Sequence, residues 1–97
     1  MSKVTTQQIT EWKQKHGEIF KITVDGKEAY LRKPDRKILS YVTSMASNEP
    51  LKFNEILLNN CWLGGDTEIK TDDTLFLSAS AKLGQLIEIK SAELVKL

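Results

Sequence analysis

Few side chains in this 97-residue chain could carry out a reaction, since it holds one histidine, His16, and one cysteine, Cys61. A catalytic histidine needs a nucleophile or a carboxylate held beside it. A reactive cysteine needs a nearby cation or a helix N-terminus to stabilise its thiolate. His16 precedes Gly17 at the end of a predicted helix, and Cys61 lies near the C-terminal end of another. We therefore expect a structural or surface role for the histidine, core packing for the cysteine, and no enzymatic activity.

Two further motifs resemble ligand sites without meeting their requirements. Gly64-Gly65-Asp66 lacks the additional glycines and the following Lys-Ser/Thr of a phosphate-binding loop, so the glycines are better interpreted as the stop signal of a helix. The acidic residues that follow lack the spacing of a calcium-binding EF-hand and predict a solvated acidic face; they are Asp66, Glu68, Asp72 and Asp73. We expect no cofactor and no metal ion.

The sharpest basic cluster lies at residues 32–37 and contains Arg32, Lys33, Arg36 and Lys37. Such a cluster can contact phosphates. This one is short, includes Asp35 and has no interleaved aromatic residues on which bases could stack. It therefore favours contact with an acidic protein surface, or plain solvation, over binding to nucleic acid. A small regulatory or DNA-contacting protein that uses this cluster is the alternative function.

The net charge of +1 conceals an uneven distribution. Residues 1–48 hold nine Lys/Arg and five Asp/Glu, whereas residues 49–97 hold five and eight. The two halves can attract each other within one fold, which is the simpler interpretation, or head to tail between copies of the chain. Self-association is thus one expectation for this sequence.

Length and composition predict a single domain over residues 1–97 with one small core. A polar run follows Met1, which argues against a signal peptide. No apolar stretch approaches the roughly 20 residues that cross a bilayer. We expect a cytoplasmic protein that does not enter a membrane.

The elements that must position these residues form an α+β fold: an N-terminal helix, one β-hairpin and a bundle of about three helices. Residues 1–17 form a helix or arm, with Thr5 or Thr6 as cap and a thin apolar stripe of Ile9 and Trp12. Residues 18–33 form a hairpin, because two strand-like runs flank Asp25-Gly26, a pair typical of a two-residue type I′ turn. That turn predicts the pairs Val24–Lys27, Ile22–Ala29 and Phe20–Leu31.

Residues 34–97 are expected to be helical. Asp35 can cap a helix that follows Pro34, and Pro50 suits the first turn of a second helix, from about residue 50 to 62. Thr71 or Asp72 can cap a third helix, which keeps its apolar spacing through Gly84. The glycine predicts a kink or a close contact. The final residues, 89–97, are apolar enough to pack but show no clear stop signal.

Two segments resemble the small tail assembly chaperones of long-tailed bacteriophages and prophages. They are Ala29-Tyr-Leu-Arg-Lys-Pro-Asp-Arg-Lys-Ile-Leu-Ser-Tyr41 and Asn60-Cys-Trp-Leu-Gly-Gly-Asp66, the second followed by Asp72-Asp73 and a closing helix. The resemblance covers about residues 18–97 and implies a short hairpin followed by helices. It implies a non-enzymatic protein that binds the tape measure protein and tail tube subunits during tail assembly.

The resemblance carries over no individual binding residue, so physical reasoning nominates them. A chaperone for a long helical client needs apolar surface that can be covered and released, with charge to guide encounter. The residues predicted to contact a partner are Trp12, Ile19, Tyr30, Arg32, Lys33, Arg36 and Lys37. Ile9 in the first helix and Leu94, Val95 and Leu97 near the end of the chain supply further apolar groups.

Overall fold

The computed structural model describes residues 4–46, 48–86 and 92–97. Its elements follow in the order α1 Thr6–His16, β1 Ile19–Val24, β2 Lys27–Arg32, α2 Arg36–Met45, α3 Pro50–Cys61, β3 Trp62–Gly65, α4 Glu68–Thr71 and α5 Asp73–Leu83. A single turn of 3₁₀-helix, Gly84–Leu86, follows α5. The α+β class, the N-terminal helix and the hairpin are confirmed.

The β1–β2 hairpin has the predicted register, with Val24 opposite Lys27 and Ile22 opposite Ala29. Asp25 and Gly26 have φ of 49° and 76°, the two positive values that a type I′ turn requires. Because side chains alternate along a strand, this register directs Ile22 and Ala29 to the same face, which forms the floor of the core.

Side chains cap three helices at the positions expected from the sequence. Thr5 and Gln8 form a reciprocal capping box at the start of α1. Oδ1 of Asp35 accepts a hydrogen bond of 2.8 Å from the Ile38 N–H at the start of α2. Oδ1 of Asp72 accepts one of 3.0 Å from the Leu75 N–H in α5. Pro50 occupies the first turn of α3, where its missing N–H has no intrahelical partner to lose.

The prediction of an all-helical region after residue 34 is wrong at one place. The second predicted helix ends at Cys61, and Trp62–Gly65 form a third strand that pairs antiparallel with β2. Gly64 and Gly65 are therefore strand residues rather than a helix stop. Gly65 has φ of +126°, and a Cβ atom built on it would meet the carbonyl oxygen of Glu28. Only glycine allows the two backbones to approach this closely.

Asp66 fastens the end of β3 to β2. It was expected on a solvated acidic face, yet it is 6% exposed. Its Oδ2 accepts a hydrogen bond of 2.9 Å from the Glu28 N–H, and its own N–H donates one of 2.7 Å to the Glu28 carbonyl. The Glu28 N–H thus replaces water at the buried carboxylate, which reduces the cost of burying it.

The core lies between the inner face of the sheet and helices α2, α3, α4 and α5. Its buried members are Ile22, Ala29, Leu31, Val42, Leu57, Leu58, Cys61, Ile69, Ala79, Leu83 and Leu86. The salt bridge of 3.6 Å between Lys27 Nζ and Glu68 Oε1 joins the basic first half of the chain to the acidic second half. The attraction between the halves thus acts within one molecule at this point.

The structure bears on two expectations about the last third of the chain, and for Gly84 it excludes only the close contact. Gly84 makes no close contact, because a Cβ atom built there meets nothing within 4 Å, and it lies where α5 passes into the 3₁₀ turn. Residues 92–97 form no helix or strand and are exposed, so they do not pack on the body. The expectation for residues 89–91 falls outside the described residues.

Candidate protein-binding surfaces

Helix α1 covers the outer face of the sheet, and this changes the role of two predicted contact residues. The ring of Trp12 lies 5.9 Å from that of Tyr30, centroid to centroid, with the planes tilted by 41°. Trp12 also lies over Gly64, since a Cβ atom built on that glycine would be 2.9 Å from the indole ring. Tyr30 is only 9% exposed. The expectation that Tyr30 offers free apolar surface to a partner is therefore corrected, because its ring packs against Trp12 of the same molecule.

The basic cluster is partly neutralised by its own acidic member. Nη2 of Arg32 lies 3.2 Å from Oδ2 of Asp35, the residue that caps α2. Lys33 is half-buried and also has an interaction partner. Arg36 and Lys37 are exposed on the first turn of α2. Ion pairing within the cluster thus leaves less free positive charge than the sequence suggests.

Ile19, the first residue of β1, lies opposite Arg32 in the hairpin register. It is half-buried and borders a shallow depression of about 470 Å³ together with Lys13, Gly17 and Glu18. Ile19 and Arg32 therefore lie side by side in the hairpin, and Trp12 packs on Tyr30 where α1 meets the sheet. The structure thus brings together Ile19 with Arg32 and Trp12 with Tyr30.

An apolar groove lies between α3 and α5, and none of its residues is among the predicted partner contacts. It encloses about 530 Å³ and is lined by Leu51, Phe76 and Leu77, with Lys52, Glu55 and Asp73 at its rim. Leu51 and Leu77 are 55% and 52% exposed. One signal was available: Leu77 falls outside the inward-facing stripe of α5 that contains Ala79 and Leu83. An apolar residue off the core stripe of an amphipathic helix predicts a contact surface.

A second groove, of about 380 Å³, runs along β1 beside the end of α5. Phe20, Ile22 and Leu86 give it an apolar floor, and Lys21 and Lys82 flank it. Lys21 forms a salt bridge of 3.3 Å with Glu28 on the neighbouring strand. The groove is therefore apolar in its depth, and one of its two flanking lysines is paired with an acidic residue.

The two side chains that could take part in a reaction, Cys61 and His16, lie in surroundings that do not activate them. Cys61 is completely buried, and burial raises the pKa of its thiol to about 11, which keeps it protonated and unreactive. His16 is the last residue of α1, where desolvation and the charges of Arg32 and Lys15 lower its pKa. Within the described residues, no group of three or more His, Cys, Asp or Glu could hold a metal ion.

In the described part of the chain no helix is both long and apolar enough to cross a membrane. Comparison of the chain with protein-family models, with curated proteins and with solved structures finds no match. The surfaces themselves must therefore indicate the function.

Proposed function

We propose that this chain is a protein-binding module that acts as a tail assembly chaperone of a long-tailed bacteriophage or prophage. In this proposal it works in the cytoplasm of the host bacterium and binds the tape measure protein and tail tube subunits. The resemblance of segments 29–41 and 60–66 supports the assignment, as does a hairpin followed by helices.

The observation that carries the proposal is the groove between α3 and α5. Two leucines there, Leu51 and Leu77, each leave about half of their surface in water. The surrounding charges of both signs, Lys52, Glu55 and Asp73, keep such a surface soluble and can orient a partner. An amphipathic helix laid into the groove would cover the leucines with its own apolar stripe. A long helical client offers many such stripes.

Gene neighbourhood and co-expression test the proposal. A tail tube gene upstream and a very long tape measure gene downstream are expected, and the chain should capture the tape measure product when the two are expressed together. Failure of the wild-type chain to capture any neighbouring product would contradict the function itself.

Matched variants test the groove. Leu77→Glu places a charge in the groove. Met45→Glu places one on α2, outside the groove, at nearly equal exposure: Met45 is 51% exposed and Leu77 is 52% exposed. We expect the first to reduce capture by at least about tenfold, the effect of removing one well-packed apolar contact. Met45→Glu should leave capture unchanged. Equal capture by both variants would mean that the client binds elsewhere on the molecule.

DNA contact through the basic cluster makes a separate prediction. A gel shift that weakens with salt would support it, and absence of binding at low salt would remove it.

A further inference from the structure

Among the residues that the structure describes, strand β1 lies at the edge of the sheet. The strand order is β1-β2-β3, and among the described residues β2 is the strand that pairs with β1. In a hairpin with a two-residue turn the residues next to the turn form a hydrogen-bonded pair, and such pairs alternate along the ladder. Val24, Ile22 and Phe20 therefore bond to β2. Ile19, Lys21 and Thr23 direct their N–H and C=O groups to the open side.

The groove beside this edge fits an extended chain. A strand added to β1 would place alternate side chains over the apolar floor formed by Phe20, Ile22 and Leu86. The side chains in between would lie next to Lys21, on the other face of the sheet. The edge thus selects a strand with an apolar residue opposite Phe20 and an acidic residue opposite Lys21.

The exposed tail, residues 92–97, has this pattern. Its apolar side chains are uncovered: Leu94 is fully exposed and Val95 is 69% exposed. In an antiparallel alignment with Glu93 opposite Lys21, Leu94 lies opposite Phe20 and Lys96 lies opposite Glu18. Both charges of the tail then meet an opposite charge. In the parallel alignment with the same first pair, Lys96 would instead lie opposite the apolar Val24.

We propose that the tail of a second copy of this chain adds to β1 as a fourth, antiparallel strand. Within the described residues, the tail is uncovered and no strand pairs with the open side of β1. A second copy satisfies both at once, with backbone hydrogen bonds to Lys21 and Ile19 and with Leu94 over the apolar floor. The contact is distinct from the α3–α5 groove and does not depend on the identity of a client.

Sedimentation velocity over a wide range of protein concentration tests the association. The full chain should form dimers or larger species as concentration rises, and a chain that ends at Ser91 should stay monomeric. This truncation removes exposed residues, so it leaves folding intact, which far-UV circular dichroism verifies.

A charge exchange tests the register. Lys21→Glu and Glu93→Lys each turn one attraction into a repulsion and should weaken association about fivefold. The double variant should regain the affinity of the full chain, because it restores an opposite pair in the reverse order.

A proline variant tests the backbone contact. Lys21→Pro removes an N–H that points away from β2, a position where an edge strand tolerates proline. Lys21→Ala loses the same charge and keeps the N–H. We expect Lys21→Pro to abolish association and Lys21→Ala only to weaken it.

Three results would overturn the proposal. The first is a monomer whose tail amides resist hydrogen exchange, because the tail would then lie on the β1 edge of the same molecule. The second is a monomer whose tail amides exchange freely. The third is association that survives the truncation. Leu77→Glu should leave self-association unchanged, so the outcome here is separable from failure of the proposed client binding.

Discussion

Replacing Gly65 by alanine should remove a large part of the free energy of unfolding of this protein, because strand β3 has no room for a Cβ atom. Such an atom would lie 2.9 Å from the Ala29 Cα and 3.1 Å from the Glu28 carbonyl carbon, and it would collide with the Glu28 oxygen. These neighbours are backbone atoms of the central strand, so they cannot turn aside as a side chain would. The φ of +126° is also strained for any residue other than glycine.

The expected loss follows from two contributions. Backbone strain of this kind costs about 1–3 kcal/mol. If β3 moves away from β2, the two hydrogen bonds between Glu28 and Asp66 are also lost, at about 1 kcal/mol each. We expect a decrease of about 3–5 kcal/mol in the free energy of unfolding. A domain of this size holds about 5–15 kcal/mol in total. At 4–8 °C for each kcal/mol, Tm should fall by at least about 12 °C.

Urea unfolding followed by tryptophan fluorescence and far-UV circular dichroism measures the change. Gly84→Ala is the control, since nothing lies within 4 Å of its added Cβ and its φ is −59°. That variant should match the wild type or gain up to about 1 kcal/mol. Asp66→Ala should cost less in the Gly65→Ala background than alone, because the same hydrogen bonds are already broken. A Gly65→Ala protein within about 1 kcal/mol of the wild type would refute the reasoning.

Three further predictions concern other elements. Trp12→Ala should lower the free energy of unfolding by about 2 kcal/mol and reduce the helical circular dichroism signal, because α1 has no fully buried residue and depends on this ring. Cys61 in the folded protein should react with a thiol reagent at pH 8 far more slowly than in urea, since its pKa of about 11 leaves the buried thiol protonated; rapid labelling of the native state would contradict this. The Ile38 N–H lowers the pKa of Asp35 below 3.8, so its stabilising effect is present above that pH and lost as pH falls through the lowered value. The Asp35→Asn variant should show a smaller decrease of the urea midpoint between neutral and acidic pH.

Local signals were sufficient for most of the fold. Asp25-Gly26 determined the hairpin register because a two-residue turn leaves no freedom in pairing. Asp35 and Pro50 marked helix starts because capping depends on residues adjacent in sequence. These features arise from contacts over three or four residues, which a sequence displays directly.

Strand β3 and the packing of α1 on the sheet could not be predicted from such local signals. Trp62–Gly65 contains two glycines, which are poor strand formers, and it continues an apolar helix, so its local pattern indicates a helix end. Its strand conformation depends on β2, a distant partner. Tyr30 stood on a mostly polar hairpin face, and only the position of α1 over that face reveals why it is buried. The α3–α5 groove likewise depends on how two helices lie side by side.

The order in which the sheet is assembled follows from its pairing distances. The hairpin joins residues three apart at its turn, and such hairpins close in about 1–10 μs. Gly65 pairs with Ala29 across 36 positions, with two complete helices in between. We therefore expect the third strand to dock late, after the folding transition state has formed. Changes at its junction with β2 should act on the rate of unfolding and leave the rate of folding nearly unaltered. On this expectation the junction controls the lifetime of the native state, and the hairpin and the helices set the speed of folding.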